Sequence, residues 1–140
     1  MELLEEILKP ENLNKAYKKV VSNKGVAGVD GITVEEELEY LKEHKETILN
    51  QIRKRRYKPQ PVKRAQIPKE NGKKRNLGIP TVTDRIIQQA IVQVISPIFE
   101  EQFNDNSFGF RPNRSPEQAV IRALEYLNDG YEWIVDIDLE

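Results

Sequence analysis

Asp136 and Asp138 stand one residue apart in the run Trp133-Ile134-Val135-Asp136-Ile137-Asp138-Leu139, whose composition predicts a β-strand. Alternate residues of a strand point to one face, so the two carboxylates would share a side. Negative charge concentrated in this way suits a divalent cation. In phosphoryl transfer, carboxylates hold Mg2+ ions that activate the attacking oxygen and neutralise the leaving group. The same spacing also fits two solvent-facing acids on a half-exposed strand. Lys69 and Arg75 flank a second feature, the turn signal Asn71-Gly72. Lysine is a flexible point charge and arginine bridges two oxygens, a pairing suited to a triphosphate tail and equally to an RNA backbone. Arg53, Lys54, Arg55, Arg56 and Lys58 lie too densely to share one helical face. They read as a strip for backbone phosphates, independent of base sequence and sensitive to salt.

Those charges are segregated along the chain. The formal net charge is only -1, yet residues 51–75 hold eleven Lys or Arg against the single acid Glu70. Residues 1–50 carry seven basic and eleven acidic side chains, and residues 76–140 carry four and eleven. A block of this kind attracts a polyanion locally while the remaining surface stays neutral or repels it. With 140 residues, 38% of them hydrophobic, the expectation is one compact unit with one core. The absence of cysteine excludes disulfide and thiolate chemistry and fits a reducing compartment. The acidic start Met1-Glu2-Leu3-Leu4-Glu5-Glu6 lacks the pattern of a signal peptide or a membrane span. The expected setting is cytoplasmic, without a membrane partner.

The elements that must position these groups follow from periodicity. Leu13, Ala16, Tyr17, Val20 and Val21 predict an amphipathic helix over residues 12–22, preceded across Pro10 by a shorter one near Leu3–Leu8. Residues 23–31 hold three glycines and form a loop able to bring backbone close to a ligand. Thr33 and Glu36 make a capping-box pattern, after which Leu38, Leu41, Ile48, Leu49 and Ile52 continue a helix to about Lys58-Pro59. Beyond Pro61 the period becomes two, predicting a β-hairpin over residues 62–80 with basic edges that include Lys63 and Arg64. Apolar residues from Ile86 to Phe103 predict a core-anchoring helix that Pro97 kinks or ends. Ser115-Pro116-Glu117-Gln118 opens another, which Asn128-Asp129-Gly130 stops.

Several of these segments together carry a resemblance. The loop Asn23 to Gly31 comes first, followed by Arg56-Tyr57-Lys58-Pro59, Ile67-Pro68-Lys69, Arg75-Asn76-Leu77-Gly78-Ile79-Pro80-Thr81 and Asp84-Arg85. Phe108-Gly109-Phe110-Arg111-Pro112 and Val135-Asp136-Ile137-Asp138-Leu139 complete the series. In this order they resemble the opening motifs of bacterial group II intron reverse transcriptase/maturases, over essentially the whole chain. The resemblance implies an α+β fingers subdomain of a right-hand polymerase, with an N-terminal helical extension (1–60), fingers (61–132) and a first palm strand (133–140). It also implies RNA-templated DNA synthesis with Mg2+ and dNTP, and assistance to intron splicing.

By the same resemblance, Lys69 and Arg75 contact the incoming triphosphate, and Ile79 and Pro80 hold the templating base. Asp138 is then the first catalytic aspartate and a metal ligand, because the family's aromatic pair falls just beyond Glu140; Asp136 is the second choice. Loop 23–31 resembles a lid over RNA template and DNA primer. Lys24, Arg53, Lys54, Arg55, Arg56, Lys58, Lys63 and Arg64 are the RNA-binding set, with group II intron RNA as the partner. The Tyr-Ala-Asp-Asp-type hairpin of the family is not in these 140 residues, so the expectation is a fragment inactive alone. The expected geometry is a cationic ribbon tip and an acidic strand end that converge on one cleft.

The remaining candidates have blander readings beside the sharp ones. His44 lies among charged helical residues and has no assigned role. Trp133, Phe108 and Phe110 could stack on bases but fit core packing better. Arg111 and Arg114 flank a polar loop, where a template contact and a structural ion pair are equally compatible. Apolar surface left uncovered would favour a homodimer. From another functional class, a non-catalytic RNA-binding splicing factor is the alternative, against which Lys69, Arg75 and Asp138 all count. A self-sufficient nucleic-acid-binding module is the third reading, which the unfinished strand at residue 140 opposes.

Overall fold

Pro10 opens the first long helix, where its fixed φ and missing N–H cost nothing. The computed structural model describes residues 3–68 and 72–138. Seven elements follow in order: α1 (Leu3–Ile7), α2 (Pro10–Ser22), α3 (Glu37–Arg53), β1 (Lys63–Pro68), β2 (Lys74–Ile79), α4 (Val82–Glu100) and α5 (Pro116–Asn128). This is a mixed helical chain with one small sheet. It divides into two compact units, Met1–Pro97 and Ile98–Glu140, where composition led us to expect one.

The first unit owns the buried core. Ala16 and Val20 of α2 and Val82, Ile86 and Ala90 of α4 recur at four-residue steps, the spacing that lines one helical face. They cluster with Ile7, Leu8, Val34 and Leu49. Polar side chains pin the same layer. Asn12 Nδ2 donates to the carbonyls of Ile7 (2.8 Å) and Ala90 (3.0 Å), which satisfies a terminal carbonyl of α1 and joins α2 to α4. Gln93 Nε2 donates in return to Asn12 Oδ1 at 2.8 Å.

The hairpin forms as its alternation predicts. β1 and β2 pair antiparallel from Lys63↔Ile79 to Pro68↔Lys74, so Ala65 faces Leu77 and Ile67 faces Arg75 across the ladder. On the opposite face Gln66 Nε2 donates to its partner Asn76 Oδ1 at 3.1 Å.

Two expectations are corrected and one open alternative is decided. Helix α3 ends at Arg53, not near Lys58, because Arg55 adopts a left-handed φ of 54°. The amides of Arg56 and Tyr57 then fold back onto the Gln51 carbonyl at 2.8 and 3.2 Å. Of the two effects open to Pro97 in α4, ending the helix is not the one taken: α4 runs on to Glu100 with Pro97 inside it, because proline removes one i→i−4 donor and leaves the neighbouring turns in place. The segment predicted as the final strand has no regular secondary structure from Tyr131 to Asp138. The sheet among the described residues has two strands, and a strand without a partner leaves its backbone groups unpaired.

Consequently Trp133 is 96% exposed, contrary to its expected core packing. Phe110, with φ 58°, is fully exposed as well. Phe108 is half-buried, with the Arg114 guanidinium 5.5 Å from its ring centroid. Helix α5 starts with the predicted capping box, Ser115 accepting from the Gln118 amide. Its apolar residues Val120, Ile121, Leu124 and Leu127 are all exposed. No described helix is long and apolar enough to cross a membrane.

Candidate nucleic-acid interface

The site is built around the corner where β2 leaves its ladder and α4 begins. Thr81 Oγ1 accepts the Asp84 amide at 3.1 Å and donates to Asp84 Oδ2 at 2.9 Å, which satisfies one amide of the first helical turn and ties the two side chains together. Asp84 is 3% exposed. Besides Thr81, its carboxylate accepts the Tyr57 hydroxyl on Oδ1 at 2.6 Å and the Gln60 amide on Oδ2 at 3.0 Å. The basic segment after α3 is thus strapped to the start of α4. Burial, followed by the Asp84 hydrogen bond, pushes the Tyr57 phenol well above its ordinary range.

On another side of the corner lies the glycine loop. Arg85 donates from Nη2 to the Val26 carbonyl and from Nε to the Thr81 carbonyl at 3.4 Å. Gly28 packs so closely that a Cβ there would stand 2.6 Å from Thr81 Cα. Only glycine allows this approach. Glu37, fully buried at the start of α3, accepts Thr83 Oγ1 on Oε1 at 2.7 Å. Its Oε2 has no partner among the described residues. Burial raises the Glu37 carboxyl pKa, and the Thr83 hydrogen bond only partly offsets it.

The predicted cations are distributed around this frame. Lys63, Arg64 and Arg75 are exposed on the ribbon, with Lys74 beside them, and among the described residues no carboxylate forms an ion pair with any of the four. Ile79 and Pro80 are half-buried at the corner. Lys54, Arg55, Arg56 and Lys58 are exposed along the strapped segment, and Lys24 is exposed where the glycine loop begins. Among the described residues, Arg53 alone of that strip forms an ion pair, its Nε 3.3 Å from Glu5 Oε1. Lys69 lies outside the described residues.

In the second unit, Arg111 takes the structural geometry of its two readings. Its side chain is 7% exposed, and Nη2 meets Glu100 Oε1 at 2.7 Å. Nε donates to the same carboxylate at 3.1 Å, while Nη1 donates to the carbonyls of Asn104 (2.8 Å) and Ser107 (2.9 Å). The Arg111 hydrogen bonds hold the Glu100 carboxyl below its ordinary pKa. Asp136 and Asp138 are exposed. No group of three His, Cys, Asp or Glu among the described residues could hold a metal ion. A magnesium ion needs an octahedron of oxygens with carboxylates held in place, so the described residues do not complete a magnesium site.

Residues to which the sequence assigns no individual role are therefore central here: Thr81, Asp84, Tyr57, Arg85 and Glu37. The local signal was Thr81-x-x-Asp84 ahead of an apolar run.

A small cationic ribbon is thus rooted on a helix start, and comparison with known proteins gives the class. Residues 67–140 match the family described as reverse transcriptase (RNA-dependent DNA polymerase), and the chain belongs to that family. It is 38% identical over 135 residues to the group II intron-encoded protein LtrA of Lactococcus lactis subsp. cremoris, covering 96% of this chain and 22% of that protein. It is 37% identical to protein YkfC of Escherichia coli (strain K12), covering 98% of this chain and 38% of that protein. A shorter stretch of 56 residues is 39% identical to nuclear intron maturase 2, mitochondrial, of Arabidopsis thaliana. The resemblance to group II intron reverse transcriptases and maturases is borne out. The chain spans 38% or less of the length of each of these relatives.

Proposed function

We propose that this chain supplies the fingers of a group II intron-type RNA-directed DNA polymerase and splicing maturase. In this reading the ribbon binds the triphosphate of the incoming dNTP through Lys69 and Arg75, and Ile79 and Pro80 form the floor for the templating base. The strip Lys54 to Lys58, with Lys24, Arg53, Lys63 and Arg64, grips intron RNA or template. Asp138 serves as a metal ligand of a Mg2+ site that residues outside this chain complete. Arg111 acts on template only indirectly, by holding the loop 104–107 that lies between Phe103 and Phe108.

One observation carries the reading. Lys63, Arg64, Lys74 and Arg75 project from a ribbon whose base is fastened at Thr81, and none of them is neutralised by a described carboxylate. Lys63 and Arg64 stand at the base of the ribbon and Lys74 and Arg75 near its tip, so exposed positive charge runs along the ribbon, a distribution that suits the spaced phosphates of a polyanion.

The test is a split in kinetics. In the full-length polymerase, Arg75→Ala should raise the KM for dNTP about tenfold or more while template affinity stays nearly intact, the signature of a contact made to one substrate only. The opposite split would make Arg75 a template contact. Intron RNA binding without any dNTP incorporation by the unaltered full-length protein would identify a non-catalytic splicing factor instead. The 140-residue chain alone should incorporate no dNTP.

A further inference from the structure

We infer that Arg85 is a positioning residue that holds the glycine loop 23–31 closed over the Pro80–Thr81 corner before any RNA binds. The functional half of this inference rests on the proposed reading, in which that corner faces the template.

The geometry is specific. The Arg85 guanidinium spans two backbone carbonyls, Val26 in the loop and Thr81 at the corner. It therefore acts as a bracket between two segments far apart in sequence. Gly25 sits directly over the same guanidinium, and Gly28 rests on the Thr81 backbone, where a Cβ would come within 2.7 Å of the Thr81 amide nitrogen. Two of the loop's glycines are thus used for close approach to Arg85 and the corner. The loop's third glycine, Gly31, supplies a turn with φ 75°. Arg85 is set by the helix that Thr81 and Asp84 cap, so its position is inherited from the buried network and not from the loop.

A loop that must close to grip a ligand weakens apparent affinity by the fraction of time it is closed. Arg85 raises that fraction without touching the ligand. If its loss leaves the loop closed about one tenth of the time, apparent template–primer affinity falls about tenfold, with the rate at saturating template and the dNTP KM little changed.

The experiment uses the full-length polymerase with Arg85→Ala, Arg85→Lys and Gly28→Ala. Hydrogen exchange of amides 24–31 reads the bracket directly and needs no assumption about catalysis; template–primer Kd, kcat and dNTP KM read its consequence. Faster exchange in Arg85→Ala and Gly28→Ala, partial restoration by Arg85→Lys, and a matching rise in template–primer Kd are expected. Gly28→Ala keeps the Arg85 charge, so its agreement with Arg85→Ala separates loop placement from a direct guanidinium–phosphate contact. Unchanged exchange in Arg85→Ala overturns the bracket. A weaker template–primer Kd in Arg85→Ala but not in Gly28→Ala overturns it in favour of direct contact. Faster exchange with unaltered template affinity overturns the positioning role, and Arg75→Ala then reports separately on whether the polymerase reading stands.

Discussion

Removing the Tyr57 hydroxyl should loosen the basic segment and destabilise the first unit through a single hydrogen bond. That hydroxyl lies 2.6 Å from Asp84 Oδ1, and Asp84 is nearly inaccessible to solvent. A hydrogen bond to a charged acceptor contributes about 1.5–3 kcal/mol, roughly twice a neutral one. Tyr57 is only part-buried, so water can partly replace it and the lower end applies. Tyr57→Phe should cost about 1.5–2 kcal/mol, a large share of the roughly 5–15 kcal/mol that holds a typical domain together. The Gln60 amide still reaches Oδ2, so the segment is loosened and not released.

The assay is urea unfolding followed by far-UV circular dichroism. Fluorescence is a poor choice, because Trp133 is almost fully exposed and lies in the other unit. The decisive comparison is a double-mutant cycle with Asp84→Ala. Once the carboxylate is gone the hydroxyl has nothing to meet there, so Tyr57→Phe should cost less than about 0.5 kcal/mol in that background. Equal costs in both backgrounds would refute the reasoning and assign the effect of Tyr57 to ring packing alone.

Two further predictions concern protons. Burial raises the Glu37 pKa above 4.5, so the folded state holds that proton more tightly than the unfolded chain. The stability this provides is full below the ordinary carboxyl pKa and is lost as pH rises through the folded value. Glu37→Gln, which mimics the protonated acid, should therefore gain on the unaltered protein as pH rises above about 4.5, in thermal unfolding across a pH series; parallel curves would reject it. Glu100 shows the reverse sign. Its pKa is lowered from 4.5 by Arg111, so its contribution is present above the unfolded value and lost as pH falls through the folded one. Arg111→Lys, which cannot reproduce the planar fork, should flatten that acid-side loss, read as exchange of the loop amides 104–107 against pH.

Local chemistry was legible in the sequence, and chemistry between distant segments was not. The boxes at Thr33/Glu36 and Ser115/Gln118 form because both partners lie three residues apart, and the former closes with Thr33 N 3.0 Å from Glu36 Oε2. The hairpin was readable because alternation and Asn71-Gly72 agree, and with it the exposure of Arg75 and Lys63. The early end of α3 was hidden because Arg55 takes a left-handed conformation that sequence normally signals with glycine or asparagine. Nothing in the residue type announces it. The strand at residues 133–138 failed for another reason: alternation predicts a capacity to pair, and pairing needs a neighbour. Asp84 was missed because two of its donors, Tyr57 and Gln60, are 27 and 24 residues away.

The choice of those donors has an electrostatic consequence. Residues 51–75 contain one acid, so a cationic segment of this kind must be fastened by carboxylates supplied from elsewhere. An ion pair would do so at the expense of one of the segment's own positive charges. Asp84 instead takes a phenol and a backbone amide, both neutral, and the anchorage leaves Lys54, Arg55, Arg56 and Lys58 without a carboxylate partner among the described residues. Hydrogen bonds from neutral donors are little affected by ionic strength, whereas contact between exposed cations and phosphates weakens steeply with salt. If the segment grips RNA as proposed, it should release that RNA as salt rises while its own fold stays in place. This separation of holding from binding follows from two hydrogen bonds to one carboxylate.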